Sequence, residues 1–148
     1  MVIDTLQQLY KRDLTRLKTE ITSYTKEENL WIVDRAIANS GGNLCLHLIG
    51  NLNAFVGAQI GNTGYVRNRE FEFSGKDIPV SSLVHQIDDT IVVIEKALAS
   101  LDEKQLVAEY PIKVFKEPMT YEFFLIHLSS HLTYHLGQIN YHRRLLDV

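Results

Sequence analysis

The sequence has few of the features that mark specialised classes of protein. It contains one cysteine, Cys45, which excludes an internal disulfide framework and fits a reducing compartment. No apolar stretch reaches the roughly 18–20 residues that a membrane-spanning helix needs, and the N-terminus has no signal-peptide hydrophobic region. The formal net charge of −3 offers no electrostatic attraction for nucleic acid. We therefore expect a cytoplasmic protein with neither a nucleic acid nor a membrane as its partner.

The composition that remains is that of one globular domain. The 148 residues are 45% hydrophobic and 22% charged, a balance that supports a full hydrophobic core and argues against disorder. No internal repeat, low-complexity tract or interdomain linker interrupts the chain. A single domain covering residues 1–148 is predicted.

Apolar residues recur at three- and four-residue steps in four stretches, which predicts four helices. These stretches cover approximately residues 2–22, 43–60, 81–101 and 120–146. The first shows no titratable group on its apolar stripe and is predicted to be scaffold. A long irregular segment, Gly61–Asp77, joins the second and third helices. Apolar and polar residues alternate along residues 105–116, which is typical of a short β-hairpin or an extended excursion. The expected fold is all-α, an up-down four-helix bundle.

Three histidines stand at equal intervals on the fourth helix: His127, His131 and His135. A spacing of four residues places each one about 40° round the helix from the last, so the three share a face. We expect that face to lie in the middle of the buried stripe. Two such imidazoles suit a divalent ion, although a third ligand must come from another element. The alternative is a set of core or solvent-facing histidines without a metal, and the spacing does not decide between them.

The second helix carries one histidine, His47, with Asn43 and Asn51 one turn before and after it. A lone histidine on such a face is often structural. In a bundle, however, it can face His131 and His135, which would give three protein ligands and leave a position for water or substrate. Cys45 points about 200° away from His47 and is interpreted as an inert buried residue.

The segment 61–77 is long for a connection inside a compact domain, which is typical of a lid, a binding loop or a subunit contact. Its candidate recognition groups are Tyr65, Arg67 and Arg69. An arginine there suits a carboxylate or phosphate, so we expect a small anionic or thiol-bearing substrate. The alternative is a solvated connector that the aromatic residues hold in place.

Two motifs carry a resemblance to a known family. They are HLTYHLGQI at residues 131–139 and LHLIGN at residues 46–51. The chain resembles the DinB/YfiT superfamily, which implies a four-helix bundle with metal ligands His47, His131 and His135. The resemblance makes His127 a neighbour of the ligands, together with Asn51 and Gln138. The sequence departs from the family pattern at Leu136, where many members have a basic residue.

The resemblance also implies a function and a homodimer. The activities of members of that superfamily range from thiol-dependent transfer to metal-assisted hydrolysis. We therefore expect an enzyme that uses zinc or nickel to activate water or a low-molecular-weight thiol, as a hydrolase or thiol-S-transferase. The alternative is a non-catalytic stress-response protein that binds a metal or a small molecule. Imidazole ligands suit both metals.

A strip of small residues on the back of the fourth helix indicates where two copies could meet. Ser130, Thr133 and Gly137 lie there beside Ile126. Small side chains allow helices to approach closely, so a two-fold dimer through this helix or the neighbouring loop is predicted. The alternative is that the strip accommodates residues 105–116 of the same chain.

Overall fold

The computed structural model describes residues Met1–Val148 and is all-helical. The elements are α1 (Val2–Thr22), α2 (Gly41–Leu52), α3 (Arg69–Ser74), α4 (Val80–Ala99), α5 (Glu103–Leu106) and α6 (Tyr121–Leu146), with a 3₁₀ turn at Glu27–Trp31. A π-helical segment, Asn53–Ala58, continues α2. None of the helices combines the length and apolar composition that crossing a membrane requires.

The four long helices α1, α2, α4 and α6 surround one hydrophobic core, as the periodicity predicts. Their directions follow from the side chains that meet. Helix α1 meets α4 at Lys11–Glu95 and Lys18–Asp88, and it meets α6 at Tyr10–Leu125 and Glu20–Asn140. Helix α2, taken with its π-helical continuation, meets α6 at Gly41–His142 and Phe55–Phe124. The same continuation meets α4 at Asn53–Thr90 and Gly57–Val93. Hence α4 runs antiparallel to α1 and parallel to α2, whereas α6 runs parallel to α1.

The predicted up-down order is therefore wrong, because the four helices run up, down, down and up. Two parallel neighbours cannot be joined by a tight turn and need a connection that returns along their length. Residues 59–79 provide that return between α2 and α4. Apolar spacing within a helix is the same for either direction, so the pattern contained no information on it.

One connection differs from its prediction, and the other follows one of its two predicted alternatives, the extended excursion. The segment 61–77 is not wholly irregular, because it contains α3, whose first turn is capped by the Asn68 side chain accepting from the Phe71 amide at 3.1 Å. Residues 105–116 form no strand. Their excursion is closed by one antiparallel bridge between Glu109 and Thr120. Prolines on both arms of this excursion remove donors that a longer ladder would need.

One carboxylate lies in the core-facing surface of α1, against expectation. The side chain of Asp13 is only 1% exposed, and it accepts hydrogen bonds from Arg12 and from Thr133 of α6. Arg16 adds an ion pair at 3.3 Å. These partners hold the pKa of Asp13 below its usual value in spite of the opposing effect of burial. Asp13 thus connects α1 to α6, and the Thr133 hydroxyl forms its hydrogen bond within the chain.

The last carboxylate before the C-terminus joins α6 to the 3₁₀ turn, which leads to a pH prediction. Asp147 accepts from the Thr25 amide at 2.7 Å and from Asn29 at 2.8 Å, and such bonds lower its pKa to about 2. Because this pKa is below the unfolded value of about 3.9, the ionised carboxylate stabilises the folded state above pH 3.9. That stabilisation is lost as the pH falls towards 2. Asp147→Asn should therefore lower the melting temperature at pH 6 and make little difference at pH 2, as followed by circular dichroism.

The control for this prediction is Asp89→Asn, on an exposed part of α4 where the carboxylate has only the exposed His85 nearby. That variant should melt close to the parent at every pH. A melting difference for Asp147→Asn that is the same at pH 6 and pH 2 would contradict the assignment.

Candidate metal centre

The structure brings three of the predicted residues together between α2 and α6: His47, His131 and His135. The Nε2 atom of His131 lies 3.2 Å from Nε2 of His47 and 3.1 Å from Nε2 of His135. All three ligand nitrogens fall within 4.8 Å of one another. Around a tetrahedral zinc ion with Zn–N bonds of 2.0–2.1 Å, two nitrogens are about 3.3 Å apart. Two of the three distances therefore match what a shared ion requires, and the third, between His47 and His135, is at most 4.8 Å.

The side of α6 that carries these histidines is not the core stripe that we expected. The core stripe consists of the buried aliphatic residues Leu125, Leu128, Leu132, Leu136 and Ile139. Because each residue turns the helix by about 100°, His131 and His135 lie on the flank of this stripe, facing α2. The two faces serve different purposes, since one fills the core and the other forms half of a site.

An acidic residue holds the ring of His47 from outside the site. Nδ1 of His47 lies 3.0 Å from Oε1 of Glu72, which is buried on α3. With Nδ1–H donating to the carboxylate, Nε2 keeps its lone pair for a metal, as in the carboxylate–histidine pairs of metal sites. The carboxylate passes so close to α2 that a Cβ at Gly50 would overlap it. A glycine one turn after His47 is therefore required for this contact.

Arg67 fixes the carboxylate in turn. Its Nε lies 2.8 Å from Oε2 of Glu72, and its Nη2 lies 2.8 Å from Oε1, which is a bidentate pair. The guanidinium that we predicted for substrate is thus engaged by Glu72. Of the other two predicted substrate groups, Arg69 lies over the Phe73 ring at 5.1 Å and Tyr65 is exposed.

His135 has its own outer partner, and His131 has none. Nδ1 of His135 lies 2.6 Å from Oε1 of Gln138, so the ring donates there and its Nε2 is free to bind. Nδ1 of His131 is buried without any hydrogen-bond partner, and so is Oδ1 of Asn51. The other nitrogen of His131 meets only two imidazoles. A cation shared at Nε2 would satisfy three converging lone pairs that the protein itself leaves unpaired.

Both pKa shifts in the cluster favour the neutral, metal-binding form of imidazole. Burial lowers the pKa of His131 to about 4, and the neighbouring rings of His135 and His47 add to the effect. Burial also lowers the pKa of His47, against the opposing influence of Glu72. Near neutral pH both rings carry a lone pair that needs no proton to be displaced.

Other titratable groups lie outside the cluster. His127 is exposed and contacts the rings of Phe115 and Phe124, with centroids 4.9 and 6.0 Å away. It is a neighbour on the helix and not one of the converging ligands. Burial raises the pKa of Cys45 to about 12, which leaves it as an unreactive thiol.

Sequence reasoning missed the role of Glu72. Glu72 stands in a segment that we interpreted as a lid, and no spacing links it to a histidine 25 residues earlier. One signal was present in Gly50, a small residue beside a candidate ligand, which leaves room for another side chain to approach. The residue that fills that room is decided by the fold.

Comparisons with known proteins bear on the family. Neither the curated proteins nor the solved structures include a match to this chain. A family profile described as "Protein of unknown function (DUF1572)" matches residues 1–147. The chain belongs to that family.

Proposed function

We propose that this protein binds one divalent metal ion, zinc or nickel, through His47, His131 and His135. The observation that carries the proposal is the convergence of three Nε2 atoms at 3.1 and 3.2 Å, with outer acceptors that fix two of the rings. Imidazole suits both ions. The resemblance of the two histidine motifs to the DinB/YfiT superfamily supports the same ligand set and a bundle of that type.

We further propose that the site is catalytic and acts as a hydrolase or a thiol-S-transferase. Three protein ligands leave a coordination position for a small molecule, which is the form of a catalytic site. A metal bound there would supply Lewis acidity, which would lower the pKa of a bound water or thiol enough for it to lose its proton near neutral pH. The chain contributes the orientation of its ligands, since Glu72 and Gln138 hold two imidazole rings from outside. Their bonds keep both Nδ1 protons away from the metal.

One observation favours the alternative, a non-catalytic metal-binding protein. No carboxylate stands free beside the cluster as a general acid or base. Glu72 is engaged by both His47 and Arg67, and Asp88 and Glu95 of α4 pair with lysines of α1. A catalytic reaction would need to rely on the metal-bound nucleophile itself.

The test uses protein purified without a histidine tag. Metal content is measured first, and the protein is then loaded with cobalt and titrated with cysteine, 2-mercaptoethanol and acetate. We expect one ion per chain and a visible spectrum that at least one of these ligands changes. A spectrum that none of them changes would mean that the coordination sphere is closed, and the non-catalytic interpretation would replace the enzymatic one.

We also propose a homodimer through the exposed side of α6. The structure removes Thr133 from the predicted strip, because its hydroxyl donates to Asp13 at 2.7 Å within the chain. Ile126 and Ser130 stay exposed, and nothing lies within 4 Å of a Cβ placed at Gly137. Residues 105–116 do not cover Gly137, so the strip is free there. Gly137 is the position where a second helix could approach most closely.

This yields a prediction in which one position separates folding from association. Gly137→Arg should turn a dimer into a monomer in light scattering at micromolar concentration, because the bulky side chain blocks close approach. Gly137→Ala should raise the free energy of unfolding of the chain by about 1 kcal/mol, since alanine is the better helix former. A parent protein that is already monomeric would contradict the proposed dimer.

A further inference from the structure

A groove adjoins the candidate metal centre on the side of His135. It runs between residues 34–39 and the C-terminal half of α6, and its volume is about 880 Å³. Its walls are mainly apolar or aromatic: Ile37, Leu44, Tyr134, Tyr141, Leu145 and Leu146. This volume lies in the range of sites that hold a drug-sized organic molecule.

The groove reaches the metal centre through two residues. His135 and Gln138 both line it, and these are the ligand and outer partner that stand 2.6 Å apart. Nε2 of His135 is 3.1 Å from Nε2 of His131, so His135 belongs both to the groove wall and to the cluster, whereas His131 and His47 do not line the groove. The Tyr134 ring packs edge-on to His135 at 5.3 Å and forms part of the wall at that end.

Among aspartate, glutamate, lysine and arginine side chains, only one pair lines the groove. Asp34 and Arg35 line it, their charged groups 3.7 Å apart and both largely exposed. The apolar walls therefore offer no buried cation for an anionic head group deep inside. A metal-binding head group would be held at the metal beside His135, whereas most of the remaining groove wall consists of tyrosine and aliphatic side chains.

We propose that this groove binds the apolar body of the substrate while its head group binds the metal. The substrate class is an amphipathic small molecule, with a thiol, carboxylate or similar metal-binding head on an alkyl or aryl tail. This inference rests on the proposed metal centre and adds to it. It moves substrate recognition from the segment 61–77, whose Arg67 is engaged by Glu72, to the opposite side of the site.

The test measures how affinity depends on tail length. Cobalt-loaded protein is titrated with acetohydroxamate, hexanohydroxamate and octanohydroxamate, which share one metal-binding head. Full burial of a methylene strengthens binding by up to about fourfold. If six methylenes lose about half of their exposed surface in the groove, we expect a gain of about 60-fold. The visible spectrum reports binding without any assay of activity.

Two variants locate the effect. Ile37→Asp and Leu145→Asp change exposed side chains of the groove and should each remove most of the gain with tail length, while acetohydroxamate affinity and metal content stay unchanged. Val92→Asp, on an exposed part of α4 away from the groove, is the matched control and should preserve the gain.

The outcomes separate this inference from the proposed function. If acetohydroxamate changes the spectrum and octanohydroxamate binds no more tightly, the groove assignment is wrong and the open metal position stands. If no hydroxamate changes the spectrum, both the open position and the groove assignment fall. A gain with tail length that survives both aspartate variants would also overturn the groove assignment.

Discussion

Alanine at His47, His131 or His135 should each abolish stoichiometric zinc or nickel binding in protein purified without a tag. Three converging imidazoles form the whole protein ligand set, and two imidazoles alone rarely hold an ion. Metal content is measured by elemental analysis after dialysis against metal-free buffer. The loss should be complete for each variant, because no other histidine, cysteine or carboxylate group joins the cluster.

Two histidines outside the cluster provide the controls. His127→Ala removes the neighbour one turn before His131, and His85→Ala removes an exposed ring on α4. Both variants should keep about one ion per chain. The assignment fails if all three cluster variants keep full metal content, or if His127→Ala loses as much as they do.

The outer partners should give a graded effect on affinity. Glu72→Gln keeps the size of the side chain but removes the charge that orients His47, and such changes cost roughly 10–100-fold in metal affinity. Arg67→Lys cannot reproduce the bidentate pair with Glu72 and should weaken affinity less. Both variants should still reach one ion per chain at saturating metal. An unchanged affinity in Glu72→Gln would show that this contact does not orient the ligand.

The second large effect concerns the core face of α6. Leu132→Ala should destabilise the fold by about 2–5 kcal/mol, because the side chain is 0% exposed and its removal leaves a cavity. In the Gly137→Arg background, which keeps the proposed dimer apart, Ile126→Ala changes a side chain on the same helix that is 49% exposed, and its effect should stay within about 0.5 kcal/mol. Urea unfolding followed by circular dichroism gives both free energies.

This pair of variants tests the corrected orientation of α6. If the histidine face were the core face, Leu132 would lie about 100° round the helix from His131 and outside the core, so its truncation would have a small effect. Similar unfolding free energies for the two variants would contradict the structure. Leu132→Ala that is folded at low temperature should also retain its metal, since the leucine stripe and the histidine flank are separate.

The local elements were accessible from the sequence because they depend on short-range spacing. The bounds predicted for α1, residues 2–22, agree with the structure, and Thr120 caps α6 by accepting from the Phe123 amide at 3.1 Å. Residues 105–116 were harder, because alternation of apolar and polar residues also occurs in an excursion that packs a few aromatic rings. There the structure has the extended excursion, closed by one bridge, and not the hairpin that was the other alternative.

The site shows the same division. Spacing alone placed His131 and His135 on one face, and their convergence follows from helix geometry. It could not decide which side of α6 faced the core, because the leucine stripe and the histidine flank are both regular at helical steps. That choice depends on where α1 and α2 pack, which involves contacts far apart in sequence.

By itself, the sequence determined the four long helices and which histidines share a helix face, since these follow from steps of three and four residues. Only the tertiary structure decided the up, down, down, up order of the helices, the contact of Glu72 with His47 and the groove beside His135. Those features depend on the path of the connections and on which distant surfaces they bring together. No periodicity within a helix records that path.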